Sequence, residues 1–199
     1  GRVMGGAKFG DLVEGVELVA GQYVASAEAK WNRRGGIVLL RPHGDEGMGP
    51  EHSSARLERF LQLCAKRNMQ VVYPTTPSQI FHALRRQVHR NFRKPLIIAT
   101  PKVLLRHKDA VSSMDEFGPH TKFLRAIPDD GTTTEDPSAV DRLVLCTGKL
   151  YYELAEERAK RGLTNVAIAR VEQLAPFPFD LVAEEAPPFP NANLILAQQ

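Results

Sequence analysis

QVVYPTTPSQIFHALRRQVHRNFRKPLIIAT, residues 70–100, decides the fold. Two short apolar runs, QVVYP (70–74) and PLIIAT (95–100), flank a segment of helical period, PSQIFHALRRQVHR (77–90). Pro77 falls near the start of that helix, where the first turn tolerates a residue without an N–H. PLIIAT is continuously apolar rather than alternating, as expected of a strand covered on both faces. Strand, helix and strand in this order predict a parallel pair joined by a crossover helix.

The same rhythm extends in both directions. Upstream, IVLL (37–40) predicts a strand and SSARLERFLQLCAKR (53–67) a helix, with Ser53 or Ser54 as its N-cap. Further upstream, DLVEGVELVAGQYVASAEAKW (11–31) has a helical pattern that Gly15 and Gly21 weaken. Downstream, RLVLCT (142–147), NVAIARV (165–171) and NLILAQQ (193–199) predict strands. GKLYYELAEERAKRG (148–162) predicts a helix between the first two, and FPFDLVAEEAP (177–187) a short helix before the last. Between residues 119 and 141 the rhythm breaks around DDGTTTEDPS, a composition suited to a linker or long surface loop. The expected fold class is α/β, with two doubly wound, mainly parallel sheets over residues 1–118 and 142–199.

Composition narrows the function classes. Hydrophobic residues make up 43% of the 199 and charged residues 25%, the balance of a globular protein able to bury a core without disulfides. Cys64 and Cys146 lie in apolar runs without CxxC spacing, so they read as buried thiols. No apolar stretch approaches the ~20 residues of a membrane helix, and GRVMGGAKFG (1–10) lacks a signal-peptide core. The expectation is a soluble intracellular protein without a membrane span.

Chemistry concentrates in RPHGDEGMGPEHSSAR (41–56), the loop leaving IVLL. Open α/β sheets bind ligands beyond the carboxyl ends of their strands. His43 and His52 can exchange protons near neutral pH or donate hydrogen bonds to a developing oxyanion. Free amides at a helix start after His52 would suit a carboxylate or phosphate. His43, Asp45, Glu46 and His52 match no common metal-ligand spacing, and the glycines fit neither dinucleotide nor P-loop patterns. His82, His89, His107 and His120 are isolated and read as structural. RRQVHRNFRK (85–94) reads as a solvated basic helix end rather than a nucleic-acid surface. Lys102 and Arg106, in PKVLLRH (101–107), fit either an anion contact or a subunit contact.

PHGDEGMGPEHSSARLERFLQLC (42–64) resembles a long signature of the thiamine-diphosphate-dependent 2-oxoglutarate dehydrogenase first component. TPSQIFHALRRQ, FRKPLIIATPKVLLRH, LVLCTGKLYYEL and VAIARVEQLAPFPFDL continue the resemblance in the family's order, over roughly residues 7–199. It implies the end of a transketolase-like pyrimidine-binding domain at 1–118, a linker or long loop at 119–141, and part of a transketolase C-terminal-like domain at 142–199. It further implies decarboxylation of 2-oxoglutarate on thiamine diphosphate with Mg2+, in the tricarboxylic acid cycle. The succinyl group then passes to the lipoyl-bearing succinyltransferase second component, from a homodimer. His43 and His52 match family active-site histidines, with roles in proton transfer and in binding the 2-oxo acid or its covalent intermediate. Ser53 would support them as a substrate-binding residue.

The departures define what this chain would lack. The family's GDG motif, which holds Mg2+ and the diphosphate, is absent, and the glutamate that activates the cofactor's aminopyrimidine belongs to a segment before residue 1. The usual DQF is Gly21, Gln22 and Tyr23, SGE is Ser26, Ala27 and Glu28, and Arg41 stands where an apolar residue is usual. The resemblance thus implies a segment inactive by itself, with the mitochondrial matrix as compartment and the bacterial cytoplasm as alternative. Two other readings are a non-catalytic dimerisation or docking module of the same fold, and a 2-oxoadipate-using paralogue.

Overall fold

A computed structural model describes residues 3–6, 16–46, 49–131, 136–185 and 188–198, which divide into two compact units. The first unit comprises residues 1–123 with 173–176, and the second residues 124–172 with 177–199.

In the first unit the chain runs β1 (Met4–Gly6), α1 (Val16–Val19), a π-turn (Ala20–Val24), α2 (Ala27–Trp31) and β2 (Val38–Arg41). It continues through α3 (Pro50–Ser53), α4 (Leu57–Leu63), β3 (Gln70–Val72), α5 (Pro77–His89) and β4 (Leu96–Ala99). The sheet order is β1-β2-β4-β3-β8, where β8 is Gln173–Ala175. The first four strands are parallel, and β8 closes the edge antiparallel to β3. The continuous apolar runs are explained by the two faces. Val71, Tyr73, Ile97 and Ala99 pack with Leu57 and Phe60 of α4. Val38, Val72, Leu96 and Ile98 pack with Ala83 of α5. Each Val, Leu, Ile or Phe among them contributes roughly 1.5–3 kcal/mol when fully buried.

The helix over 77–90 forms as the sequence predicts, with Thr76 as N-cap accepting the Gln79 amide and Pro77 in the first turn. The helix over 53–67 does not. Ser53 ends α3, and Ser54 Oγ accepts the Arg56 amide at 3.0 Å instead of capping a helix. Arg56 then adopts a left-handed conformation (φ 49°), and α4 starts only at Leu57. The N-terminal helix is likewise shorter and broken by the π-turn that contains Gly21, and its expected start at 11–15 lies outside the described residues.

The second unit has β5 (Ala126–Ile127), β6 (Arg142–Cys146), α6 (Leu150–Lys160), β7 (Val166–Val171), α7 (Phe179–Glu185) and β9 (Asn193–Ala197). Its sheet order is β5-β7-β6-β9, parallel except for β5. Val140, Leu143, Leu145, Ala167 and Ala169 form one core, with Val182 of α7 against it. Val144, Cys146 and Ile168 form the other, with Tyr151 and Leu154 of α6. Beyond β5, Asp129 takes over the ladder: its Oδ1 accepts the Ile168 amide at 2.7 Å and the Arg158 guanidinium at 2.6 Å. The segment read as a linker or long surface loop thus contains a short strand and a buried ionic anchor. Three short strands, β1, β5 and β8, escape the sequence reading.

Candidate functional site

β2 delivers Arg41 to the carboxyl edge of the first sheet, and the chain then turns through Pro42, His43 and Gly44. The Gly44 amide donates to the Ser53 carbonyl at 3.0 Å, which ties the end of β2 to α3. Gly49 turns the loop at φ 108°, a conformation side chains avoid, and Pro50 then starts α3. Ser53 Oγ donates to the Gly49 carbonyl at 2.9 Å, so its hydroxyl stabilises the turn rather than a helix start. The expected anion site at a helix start after His52 is also not formed. His52 lies inside the four-residue α3, and its amide donates to the Gly49 carbonyl at 3.1 Å.

Both histidines are held by their Nδ1 atoms. His43 Nδ1 accepts the Ala55 amide at 3.0 Å, so the ring carries its lone pair there and its proton on Nε2. Tyr73 braces the same residue, ring edge to ring face at 5.4 Å, and its hydroxyl reaches the His43 carbonyl at 3.5 Å. His52 Nδ1 lies 3.1 Å from Lys102 Nζ, and its Nε2 lies 3.7 Å from Glu51 Oε1. Lys102 opens a 3₁₀ turn, Lys102–Leu105, directly after β4. Glu46 Oε1 accepts the Val103 amide at 3.1 Å, fastening that turn to the histidine loop.

The site therefore gathers from the carboxyl ends of two adjacent parallel strands, β2 and β4. In the sequence Lys102 fits either an anion contact or a subunit contact, and nothing local joins it to His52. The signal lies in the strand order, which sets these two strand ends side by side. Chemically the arrangement offers imidazole nitrogens and the Lys102 ammonium as donors toward an anionic carboxylate or oxyanion, with Glu51 beside His52 opposing that charge.

A diphosphate with Mg2+ fits less well. Among the described residues no three of His, Cys, Asp and Glu gather as a metal site. Glu46 of the acidic pair in the loop is engaged by the Val103 amide.

Two departures noted in the sequence have structural accounts. The buried Arg41 guanidinium stacks 4.9 Å over the Phe60 ring, so a cation–π contact replaces apolar packing. At Gly21 an added Cβ would meet Leu63 Cδ2 at 3.9 Å, an ordinary contact, so the position would admit a side chain. The basic run 85–94 is largely consumed within the fold. Arg86 stacks 4.2 Å from the Phe123 ring and bonds Gln173, Arg90 bonds Gln70, and Lys94 bonds Glu28. No helix among the described residues is long and apolar enough to cross a membrane.

Residues 1–108 match the family described as transketolase, pyrimidine binding domain, and residues 111–199 match 2-oxoglutarate dehydrogenase C-terminal. Proteins named 2-oxoglutarate dehydrogenase E1 component from Brucella anthropi, Brucella ovis and Brucella canis are each 50% identical over 97% of this chain. The chain spans about a fifth (20%) of the length of these curated relatives. These relatives are bacterial, and nothing among them supports the mitochondrial matrix. With the first match spanning the histidine loop and the second spanning the other sheet, the chain belongs to the 2-oxoglutarate dehydrogenase E1 component family.

Proposed function

We propose that this chain supplies the histidine side of the site in a protein that decarboxylates 2-oxoglutarate on thiamine diphosphate with Mg2+. The succinyl group then passes to a lipoyl-bearing succinyltransferase, as a step of the tricarboxylic acid cycle. His43 and His52 are the catalytic residues, donating hydrogen bonds or protons to the oxygens of the 2-oxo acid. Ser53 supports substrate binding by holding the Gly49 turn that sets His52. Residues 1–118 act as the C-terminal portion of a pyrimidine-binding domain, and 142–199 as part of a transketolase C-terminal-like domain, with 119–141 between them. The diphosphate and Mg2+ are held by residues outside this chain, and the active protein is a homodimer in the bacterial cytoplasm.

The observation that carries this reading is the paired anchoring of His43 Nδ1 by Ala55 and of His52 Nδ1 by Lys102. An imidazole that accepts a hydrogen bond at Nδ1, as His43 does from Ala55, carries its proton on Nε2 and can act there as a donor. The test is steady-state decarboxylation of 2-oxoglutarate by the full-length protein carrying this chain, with thiamine diphosphate and Mg2+. His43→Ala and His52→Ala should each lower kcat/KM by roughly 10²–10⁴-fold. Unchanged turnover in both variants would overturn the assignment. The isolated chain should show no turnover.

A further inference from the structure

We propose that Lys102 is a positioning residue that fixes the proton of His52 on Nε2, making His52 a dedicated hydrogen-bond donor rather than a base. The proposal deepens the functional reading above and rests on it for the nature of the acceptor, the carboxylate or developing oxyanion of a 2-oxo acid. Its structural part stands on this chain alone.

A lysine ammonium has three N–H donors and no acceptor. At 3.1 Å from Lys102 Nζ, His52 Nδ1 must therefore present its lone pair. A neutral imidazole carries one proton, which then resides on Nε2. The side chain of His52 is only 16% exposed, so little water competes for either nitrogen. On the Nε2 side stands Glu51 Oε1, at 3.7 Å, beyond a good hydrogen bond. The Glu51 side chain is 46% exposed and sits on the four-residue α3, so it can yield to a ligand carboxylate.

The geometry is held from several sides. Lys102 follows Pro101, which fixes the backbone entering the 3₁₀ turn. The Val103 amide is bonded to Glu46 of the histidine loop. The Thr100 amide donates to the Arg41 carbonyl at 2.7 Å, which keeps the ends of β4 and β2 in register. Lys102 is thus presented to His52 by a short rigid segment, and the two come from strands that pair directly.

The decisive measurement is the ¹⁵N spectrum of the imidazoles in the full 199-residue chain, with His52 assigned by its loss in His52→Gln. The expected wild-type pattern is a protonated Nε2 and a lone-pair Nδ1. Lys102→Met should convert it to a tautomer average, and Lys102→Arg, which keeps a donor, should retain it. A protonated Nδ1 or an averaged pattern in the wild type would overturn the proposal, even if Lys102→Met failed to fold. So would an unchanged pattern in a folded Lys102→Met. In the full-length protein, Lys102→Met should lower kcat for 2-oxoglutarate about tenfold with Lys102→Arg restoring it, the size expected for one lost hydrogen bond. If the spectra behave as expected while His52→Ala leaves turnover intact, the functional reading fails and the tautomer lock stands.

Discussion

His43 and Ala55, twelve residues apart, are joined by one hydrogen bond, from the Ala55 amide to the imidazole Nδ1 at 3.0 Å. Ala55 is fully buried, so this amide has no access to bulk water. The bond closes the loop at its base and links the end of β2 to the approach to α4. His43→Ala leaves a buried donor without its partner and should cost about 1–3 kcal/mol of stability in urea unfolding. His43→Asn, whose amide oxygen can replace Nδ1, should recover part of that stability. It should leave activity in the full-length protein low, because the Nε2 donor is gone.

Gly49 carries the second structural demand of the loop. At φ 108° any side chain is strained, and a Cβ there would lie 3.0 Å from Glu51 Oε2. Gly49→Ala should destabilise the chain by more than about 1 kcal/mol, read as a lower urea midpoint at unchanged slope. The ¹⁵N signature of His52 should blur at the same time, because α3 begins at the next residue.

Arg158 and Asp129 form a buried ion pair at 2.6 Å with side chains 7% and 5% exposed. Arg158 also bonds Asp130 at 2.9 Å, and Asp129 holds the Ile168 amide at 2.7 Å. Arg158→Ala strands buried carboxylate charge and should cost roughly 3–5 kcal/mol. Replacing the pair together by Arg158→Met with Asp129→Leu should cost less than Arg158→Ala, though the Ile168 amide then goes unpaired. Calorimetric melting of the three proteins checks the order.

Burial pushes the Cys146 thiol up to about 12 and the Cys64 thiol up to about 11. Thiolate is the reactive form, so both should resist iodoacetamide at pH 8 in the native chain and react on unfolding. The linked effect on stability has a definite sign. The unfolded thiol ionises near pH 8.5 while the folded one stays protonated, so stability is full below that pH. It should fall as pH rises from about 8.5 toward the folded values, and Cys146→Ser should flatten that alkaline slope. Rapid native labelling at pH 8 would contradict the burial argument.

The elements around residues 70–100 were legible because their signals are local. Val71, Val72 and Ile97 belong to uninterrupted apolar runs, and Thr76 with Pro77 marks a helix start. The elements that escaped are set by distant partners. Nothing near Arg56 announces a left-handed residue; the helix breaks there beside the Ala55 amide, which His43 captures. Gln173–Ala175 carries no strand signal of its own, because its pairing with Val71 and Val72 spans about a hundred residues. That His43 and His52 share one loop at the end of β2 could be read from the sequence, since both follow a single apolar run. Lys102 could not, because its relation to His52 exists only once β2 and β4 pair.

The late arrival of β8 has a consequence for synthesis. Residues 1–123 leave the ribosome with the β3 edge uncovered, and the strand that covers it is not made until residue 175. The chain must produce β5, β6, α6 and β7 before its first sheet is complete. At typical translation rates of ~5–20 residues per second, that edge waits several seconds for its partner. During that interval the nascent chain presents an open apolar strand of the kind chaperones bind, and a break anywhere between 124 and 172 would separate a sheet from its own final strand.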